Sequence, residues 1–301
     1  MTVEELENKL ENFILKETPD KETPEDNLKE TLYLSLESEV KSKLKSAIQM
    51  QDIPDKHPKP FYKEKFISEA GKSWNLFYKR NSTNFFKDRH WVEREFPILA
   101  SDGTAKVLLE VGCGVGNFAF PLLQSNKEMF IYCCDFAPHA IDLIWKSPLY
   151  NQDRIQAFVA DLTIGNSLHD AENGLPENVQ VDIISAMFCF SAIPPSKIMT
   201  AFENIARALK KGGTLIFRDY SVGDSAQLRF KPQNVMDLKQ NFYVRQDSTF
   251  TLFFTPELVV ECCQNVGLQV QSCENVEKVV VNRKQAKSMN RLFVQGIFTK
   301  I

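Results

Sequence analysis

The strongest constraint on the fold of this chain is a short apolar run that ends in alternating glycines. Residues 107–116 read Val-Leu-Leu-Glu-Val-Gly-Cys-Gly-Val-Gly, and a helical pattern begins at Asn117. The run predicts a buried strand that leads into a tight turn, where any Cβ would keep a ligand away from the backbone. The glycine spacing differs from the G-x-G-x-x-G of dinucleotide-binding turns, and Glu110 before the turn would repel a pyrophosphate. The stretch therefore favours a cationic nucleoside ligand without phosphate.

The region that follows alternates between strand and helix patterns. Predicted strands cover residues 107–111, 130–134, 155–160, 181–186, 214–217, 268–276 and 292–299, and predicted helices cover residues 117–124, 138–146, 195–210 and 256–265. Such alternation predicts an α/β fold, in which helices cover both faces of a doubly wound, mostly parallel sheet. The two late strands are expected to form an antiparallel edge.

Two of the predicted strands end in acidic residues. The second strand ends in Asp135, about 20 residues after the glycine turn, where an acid commonly binds the ribose hydroxyls of a nucleoside. The third strand ends in Asp161, which Leu162 follows. A glycine turn and two acids in this order argue against a chance match.

These motifs together resemble the class I S-adenosylmethionine-dependent methyltransferases over residues 106–220. The resemblance implies a Rossmann-like methyltransferase domain with S-adenosylmethionine as its cofactor. The residues that it implies for cofactor binding are Glu110, Gly112, Gly114, Asp135, Asp161, Leu162 and Met187, the last three around the adenine.

The formal net charge of −3 hides an uneven distribution along the 301 residues. Residues 56–95 hold 10 Lys/Arg against 5 Asp/Glu, residues 207–245 hold 8 against 3, and residues 278–301 hold 6 against none. If these three basic segments converge in space, they attract a polyanion, because local potential and not net charge recruits nucleic acid. The alternative is that each segment is an ordinary solvated face.

The composition is typical of a globular protein and gives no sign of a membrane or metal protein. The N terminus lacks the basic and apolar parts of a signal peptide, and no apolar run approaches the roughly 18 residues that a membrane helix needs. We therefore expect a location in the cytoplasm, with the nucleus as a second compartment. The seven cysteines form no C-x-x-C pair, which argues against zinc sites and disulfide frameworks and favours buried thiols.

Three parts are predicted along the chain. Residues 1–55 carry acidic helical patterns and are expected to form a loosely attached segment. Residues 56–100 are basic and aromatic, which predicts an RNA-binding segment, although most of the aromatic side chains are expected to pack it onto the main domain. Residues 101–301 form the methyltransferase domain. Within it, residues 220–255 are too long for a simple connection and are predicted to be a functional insertion that binds RNA.

Motifs outside the cofactor core narrow the resemblance. They read Trp-Asn-Leu-Phe-Tyr at residues 74–78, Phe-Phe-Lys-Asp-Arg-His-Trp at 85–91, Phe-Arg-Asp-Tyr at 217–220 and Asn-Phe-Tyr-Val-Arg-Gln-Asp at 241–247. These motifs resemble the tRNA N3-methylcytidine methyltransferases over residues 61–298. The resemblance implies methylation at N3 of a cytidine in the anticodon loop of a tRNA. Relatives of this short form act on serine tRNAs, and some work with seryl-tRNA synthetase, so both are expected partners.

The same resemblance assigns roles to residues outside the glycine turn. Trp74 and Tyr78 match positions that close over the cofactor. The residues assigned to RNA are Arg218, Arg229, Tyr243 and Arg245.

Asp219 is the candidate catalytic residue. N3 of neutral cytosine carries a lone pair, so no base is needed before it attacks the methyl group, and catalysis is mostly positioning. The product ring is cationic, and a carboxylate at the end of a strand would stabilise the developing charge. The alternative for Asp219 is an ion pair with a neighbouring arginine.

The sequence departs from the family pattern in two places. Pro194 and Pro195 stand where relatives usually have His-Pro, which removes a titratable group, and Ser248 replaces a usual glycine.

The core motifs would equally suit a methyltransferase that acts on another RNA, a protein or a small molecule. The basic segments argue against these alternatives. A non-catalytic RNA-binding adaptor is the remaining alternative, and the intact glycines and acids argue against it.

Overall fold

The computed structural model of this chain describes residues 60–282 and 287–301. The acidic segment predicted for residues 1–55 lies outside them. The helices are α1 (Pro60–Ser68), α2 (Ala70–Asn81), α3 (Val92–Glu95), α4 (Ala119–Ser125), α5 (Pro138–Trp145), α6 (Ser167–Asp170), α7 (Ile198–Ala208) and α8 (Pro256–Asn265). The strands are β1 (Lys106–Val111), β2 (Met129–Asp135), β3 (Ile155–Val159), β4 (Val181–Met187), β5 (Leu209–Tyr220), β6 (Val235–Asp237), β7 (Phe242–Val244), β8 (Phe250–Leu252), β9 (Leu268–Asn282) and β10 (Lys287–Lys300). Among the described residues, no helix has the length and apolar character needed to cross a membrane.

Seven of the strands form one sheet in the order β3-β2-β1-β4-β5-β10-β9. The first five run parallel to one another, whereas β10 runs antiparallel to both of its neighbours. The strand order reverses at β1, between β2 and β4, and in such sheets the ligand cleft lies at the carboxyl ends of the strands beside the reversal. The predicted α/β fold with antiparallel late strands is confirmed.

Apolar side chains cover both faces of this sheet. Leu108 and Ile183 pack with α4 and α5 on one face, whereas their chain neighbours Leu109 and Ile184 pack with α7 and α8 on the other. Successive side chains of a strand point to opposite faces, so a strand that is buried on both sides reads as an uninterrupted apolar run. This core fixes the positions of the turns at the carboxyl ends of the strands.

The boundaries before β5 differ from the prediction. The stretch predicted as one helix, residues 195–210, is a short 3-10 turn followed by α7, and β5 already begins at Leu209. Leu209 is fully buried and pairs with Val181 of β4. Tertiary pairing therefore overrides the helical pattern of the Lys-Lys-Gly-Gly stretch that follows Leu209.

Helix α2 lies against the glycine turn and the start of α5. The Asn75 side chain accepts a hydrogen bond of 2.9 Å from the backbone N–H of His139. Phe77 and Tyr78 are buried against Val115 of the turn. Aromatic side chains of the basic N-terminal segment thus pack it onto the sheet domain.

The insertion between β5 and α8 contains a second, three-stranded sheet in the order β6-β7-β8. Strand β7 runs antiparallel to both of its neighbours. Side chains alternate along β8, because Phe250 and Leu252 join the main core whereas Thr249 and Thr251 face a cavity on the other side. The insertion is therefore an ordered wall attached to the main domain.

Ser248, at the turn between β7 and β8, offers a test of local backbone strain. Its φ is +67°, in the left-handed region that costs a residue with a Cβ about 1 kcal/mol and that glycine adopts freely. We expect Ser248→Gly to raise the free energy of unfolding by roughly 0.5–1 kcal/mol in urea denaturation. Ser248→Ala keeps the Cβ and should give no such gain. An equal gain in both variants would contradict a backbone origin.

Strands β9 and β10 continue past the end of β5. Residues Phe293–Thr299 of β10 pair with β5, and residues 287–292 lie beside β9 beyond that point. We refer to residues 277–282 and 287–292 as the hairpin arm. Lys278 of the arm forms an ion pair of 3.0 Å with Glu95 of α3, so the arm is joined to the basic N-terminal segment.

Candidate active site

The three glycines after β1 adopt conformations that a side chain would disturb. Gly112, Gly114 and Gly116 have φ values of +65°, +55° and +88°. A Cβ on Gly112 would collide with the side chain of Cys189, and a Cβ on Gly114 would lie 2.8 Å from the hydroxyl oxygen of Tyr78. The turn therefore needs glycine both for its conformation and for its close surroundings.

Asp135 at the end of β2 holds this turn in place. Its Oδ2 accepts a hydrogen bond from the Gly114 N–H (3.0 Å), and its Oδ1 accepts one from the Ala137 N–H (2.9 Å). Burial raises the pKa of the Asp135 carboxyl to about 6, although the bonds from both amides oppose the rise. A carboxylate oxygen can accept more than one hydrogen bond, so both oxygens can also receive ligand hydroxyls.

A cavity of about 440 Å³ opens beside the turn, between α2 and the ends of β2, β3 and β4. We call it the smaller cavity. Asp161 on its wall accepts a hydrogen bond of 2.8 Å from the Thr163 N–H, which fixes the carboxylate. The predicted cofactor residues that line this cavity are Trp74, Tyr78, Gly112, Asp135, Asp161 and Leu162.

Glu110 at the end of β1 lies near a half-buried arginine, Arg89. The residue is 2% exposed, and its Oε2 has no hydrogen-bond partner within the described part of the chain. Burial raises the pKa of Glu110 to about 8, while the charge of Arg89 opposes the rise. The Arg89 Nη1 donates to the Met187 carbonyl oxygen (3.1 Å), and its guanidinium lies 5.3 Å from the centre of the Phe188 ring. A carboxylate with an unused oxygen and a guanidinium thus lie close together.

A second cavity, of about 770 Å³, adjoins the first, and we call it the larger cavity. Its wall includes the aromatic rings of Phe85, Phe188, Tyr220 and Phe230. Its cationic side chains are Arg89, Arg229, Lys231, Arg245 and Arg291, against the carboxylates of Glu110 and Asp247. Each of the three basic segments contributes at least one of these cations, so the segments converge at this cavity.

Four residues line both cavities: Trp74, Tyr78, Gly112 and Phe188. The indole Nε1 of Trp74 is buried and has no partner among the residues described. Phe188 has a φ of +57°, a conformation that is uncommon for a bulky residue and costs on the order of 1–3 kcal/mol. This shared wall is where a ligand in one cavity can reach a ligand in the other.

In the described ranges, no group of three or more His, Cys, Asp or Glu side chains is placed to hold a metal ion.

Known proteins resemble this chain in both sequence and fold. The family described as "Methyltransferase domain" matches residues 109–215. The chain is 43% identical to the tRNA N(3)-cytidine methyltransferase METTL6 of Mus musculus over 80% of this chain and 84% of that protein. It is 41% identical to the tRNA N(3)-methylcytidine methyltransferase trm141 of Schizosaccharomyces pombe over 80% of this chain and 96% of that protein. The chain belongs to the tRNA N(3)-cytidine methyltransferases. The predicted family is therefore confirmed.

The fold of this tRNA N(3)-cytidine methyltransferase also matches solved structures. An S-adenosylmethionine-dependent methyltransferase from Anabaena variabilis aligns with a TM-score of 0.57 over 77% of this chain and 95% of that protein, at 13% identity. At such low identity the match shows the fold alone. The predicted class I methyltransferase fold and its cofactor, S-adenosylmethionine, agree with the family.

Ten of the fourteen predicted site residues line one or both cavities. The four that line neither are Met187, Arg218, Asp219 and Tyr243. Gly114, Glu110, Arg229 and Arg245 belong to the larger cavity. Met187 is buried in the core, and its neighbours Phe188 and Cys189 line the smaller cavity in its place. The residues that line this cavity after β4 therefore lie one or two positions beyond the predicted one.

Arg218 and Tyr243 occupy buried positions that argue against direct RNA contact. Arg218 is 2% exposed, forms an ion pair of 3.5 Å with Glu95, and lies over the rings of Trp91 (4.7 Å) and Phe293 (5.1 Å). It therefore joins the N-terminal segment to β10. Tyr243 is fully buried and stacks on Phe230 at 4.8 Å, so it supports a ring that lines the larger cavity.

Asp219 is fully buried at the end of β5. Its Oδ2 accepts a hydrogen bond from the Ser191 N–H and its Oδ1 accepts one from the Tyr220 N–H, each of 2.8 Å. Both of these hydrogen bonds come from backbone amides, and the positive charge of Arg245 also lowers the pKa of Asp219. Both Ser191 and Tyr220 line the larger cavity, so Asp219 is one residue removed from it.

The sequence prediction missed Arg89, Phe188, Ser191 and Arg291 as cavity residues. Phe188 and Ser191 follow β4, and the rule that ligands bind beside the reversal of strand order could have found them. Arg89 gives no such signal. It reaches the cavity because its N–H donates to the Asn117 carbonyl oxygen (2.8 Å) and because the side chain of Asp88 accepts a hydrogen bond from that of Asn117 (2.9 Å).

Proposed function

We propose that this chain transfers a methyl group from S-adenosylmethionine to N3 of a cytidine in the anticodon loop of a tRNA. One observation carries the proposal: a cavity with nucleoside-binding acids adjoins a cationic, aromatic cavity through the wall of Trp74, Tyr78, Gly112 and Phe188. A donor and a base held on the two sides of that wall meet at the wall itself. The names of the relatives, which are tRNA N(3)-cytidine methyltransferases, support the same acceptor.

The residues of the site fit S-adenosylmethionine. The glycine turn leaves backbone exposed where a Cβ would collide with its surroundings, and Glu110 offers a buried oxygen without a partner within the described residues. Asp135 would hold the ribose hydroxyls, with Asp161 and Leu162 beside the adenine. Glu110 would bind the ammonium group of the methionine part and Arg89 its carboxylate, since each has the complementary charge. When bound, this cofactor supplies a methyl group activated by a positive sulfur.

The larger cavity suits an unpaired base from a loop. Bases of single-stranded RNA are bound by stacking on aromatic rings, while arginine and lysine hold the backbone. Tyr220 and Phe230 provide rings within the cavity, and Phe85 at the cavity wall is 57% exposed. Arg229 and Arg245 line the same cavity and would bind phosphate.

The chemistry needs positioning more than proton transfer. The N3 lone pair of cytosine attacks the methyl carbon, and the electrons of the broken carbon–sulfur bond stay on sulfur. No proton has to leave N3, and the pyrimidine ring becomes a cation. The carboxylate of Asp247 on the wall of the larger cavity and that of Asp219 behind Ser191 would stabilise that cation.

We further propose serine tRNAs as substrates, seryl-tRNA synthetase as a partner, and the cytoplasm as the compartment, with the nucleus second. The support is similarity to the short form of the family. The chain covers 96% of the trm141 protein, but 39% of the tRNA(Thr) (cytosine(32)-N(3))-methyltransferase of Saccharomyces cerevisiae, to which it is 38% identical. Methylation of individually purified tRNAs, with and without the synthetase, tests both parts.

The decisive experiment for the reaction is methylation of total tRNA. The purified chain is incubated with S-adenosylmethionine labelled in its methyl group, and the modified nucleoside and its position are then identified by mass spectrometry. We expect 3-methylcytidine in the anticodon loop. Label in a protein, in another nucleoside or in no product, with and without seryl-tRNA synthetase, would contradict the proposal.

Arg229 offers a separate test of RNA binding. It is exposed and lines the larger cavity, so Arg229→Ala should remove one phosphate contact. We expect roughly 5- to 10-fold weaker tRNA binding near 0.1 M salt and a salt slope reduced by about 1, with S-adenosylmethionine affinity unchanged. The matched control is Lys239→Ala, which removes one exposed cation of the same insertion away from both cavities. Equal losses in both variants would indicate a general charge effect and no specific contact.

A further inference from the structure

Ser191 lies at the junction of the two cavities. It belongs to the 3-10 turn Phe190–Ala192 that follows β4, it is 3% exposed, and it lines the larger cavity. Its neighbours Cys189 and Ala192 line the smaller cavity. A base whose N3 points towards the shared wall therefore has its flanking polar groups close to this serine.

The Asp219 carboxylate binds Ser191 from behind. Its Oδ2 accepts a hydrogen bond of 2.8 Å from the Ser191 N–H. Burial raises the pKa of Asp219 to about 6, and hydrogen bonds from the amide and from the side chain of Ser191 lower it. At neutral pH the carboxyl is therefore ionised and acts only as an acceptor.

A serine hydroxyl has one proton to donate and two lone pairs. The Ser191 side chain is one of the groups whose hydrogen bonds lower the pKa of Asp219. Since an ionised carboxylate can only accept, the hydroxyl is the donor of that bond. The two lone pairs of the hydroxyl oxygen then face the cavity. The hydroxyl, which could otherwise donate or accept, therefore has a fixed polarity: towards the cavity it acts only as an acceptor.

We propose that the Ser191 hydroxyl oxygen accepts a hydrogen bond from the exocyclic 4-amino group of the target cytosine, and that Asp219 is a positioning residue that fixes this polarity. The inference rests on the proposed function. The 4-amino group is attached to the ring carbon next to N3. When N3 faces the methyl group at the shared wall, the amino group is therefore positioned to contact Ser191.

The contact also explains how the site rejects uridine. Uracil carries an oxygen where cytosine carries the amino group. That oxygen would face the lone pairs of Ser191, and neither atom could donate a proton. Uracil N3 also carries a hydrogen and has no free lone pair for the methyl group. The two effects act at the C4 substituent and at N3, which are neighbours on the Watson–Crick edge of the base.

The test compares two anticodon stem-loops that differ at the target base. One carries cytidine, and the other carries the riboside of 2-pyrimidinone, which keeps the N3 lone pair but lacks the amino group. For Ser191→Ala we expect kcat/KM on the cytidine RNA to fall about 10- to 100-fold, and kcat/KM on the 2-pyrimidinone RNA to stay near the wild-type value. Comparing the ratio of the two substrates between enzymes cancels the difference in their intrinsic nucleophilicity.

Two further variants make the result specific. Asp219→Asn replaces the obligate acceptor with an amide that can donate to the Ser191 oxygen, and it should reduce the same ratio while S-adenosylmethionine affinity in calorimetry stays near wild type. Ser185→Ala is the matched control, because Ser185 is fully buried in β4 and lines neither cavity. It should leave the ratio unchanged.

A binding measurement gives a second readout that does not depend on turnover. Fluorescence anisotropy with S-adenosylhomocysteine present should show that wild type prefers the cytidine stem-loop and that Ser191→Ala has lost the preference. A wild-type ratio retained in both Ser191→Ala and Asp219→Asn would overturn the inference. A wild-type enzyme that methylates neither RNA would instead overturn the proposed function.

Discussion

Replacing Gly112 with alanine is expected to weaken S-adenosylmethionine binding by about 30- to 100-fold and to reduce methyl transfer accordingly. Gly112 has a φ of +65°, which disfavours a residue with a Cβ, and the new methyl group would collide with Cys189. Both residues line the smaller cavity, so any movement that relieves the collision changes the wall against which the nucleoside lies. Isothermal titration calorimetry with S-adenosylmethionine measures the effect.

Gly267→Ala is the matched control for that experiment. Gly267 also has a positive φ, of +78°, but a Cβ there would meet no atom within 4 Å. We expect it to cost about 1 kcal/mol of stability with unchanged cofactor affinity. Adding Cys189→Gly to Gly112→Ala removes the colliding side chain and should restore part of the affinity. If Gly112→Ala and Gly267→Ala bind the cofactor equally well, the close fit around Gly112 is irrelevant to binding.

The second large effect is expected from Glu110→Gln, with opposite consequences for stability and binding. In the folded chain the pKa of Glu110 is raised from its ordinary 4.5 to about 8 by burial, against the opposing charge of Arg89. Between these pH values the unfolded chain has lost the proton and the folded chain still holds it. The unfolded state then binds fewer protons, so this residue makes the protein less stable as the pH rises from about 4.5 to 8.

Glutamine does not titrate, so the variant escapes this loss. Relative to wild type, we expect the free energy of unfolding of Glu110→Gln without cofactor to gain on the order of 4 kcal/mol between pH 5 and pH 8, as an upper limit. Urea denaturation at several pH values measures it. The same variant should bind S-adenosylmethionine at least 10-fold more weakly, because the ammonium group of the ligand loses a carboxylate partner.

Glu261→Gln serves as the control for the pH series. Glu261 lies on the exposed side of α8, and its replacement controls for the general effect of changing a glutamate to glutamine. A Glu110→Gln curve parallel to wild type between pH 5 and 8 would show that the carboxyl is ionised throughout, despite its burial.

The site residues that were easiest to predict are those marked by a pattern within a short, continuous stretch of sequence. The glycines and Asp135 could be found because a strand, a turn and an acid follow one another at a fixed spacing, and Asp161 follows the next strand in the same way. Gly112, Gly114, Asp135 and Asp161 all lie where parallel strands end, so their positions follow once the sheet is assumed. Local pattern and fold agree at these residues.

Residues whose role depends on distant partners could not be placed from the sequence. Arg218 looks like an RNA contact in a basic segment, but its ion-pair partner Glu95 lies far away along the chain and takes it out of solvent. Arg89 looks like one of many surface cations, yet the contacts of residues 88–89 with Asn117 carry it into the site. The strands of the insertion were not predicted, because strands of three residues are too short to show an alternating pattern.

The long strand β10 couples the lining of the larger cavity to the packing of the core. Arg291 lines the larger cavity, and Val294 and Phe298, further along the same strand, are fully buried in the core. Side chains alternate along a strand, so inserting or deleting one residue between Arg291 and Val294 would turn one of the two sets to the wrong face. An insertion or deletion at this point therefore disturbs either the cavity or the core, whereas a substitution of Arg291 changes the cavity alone.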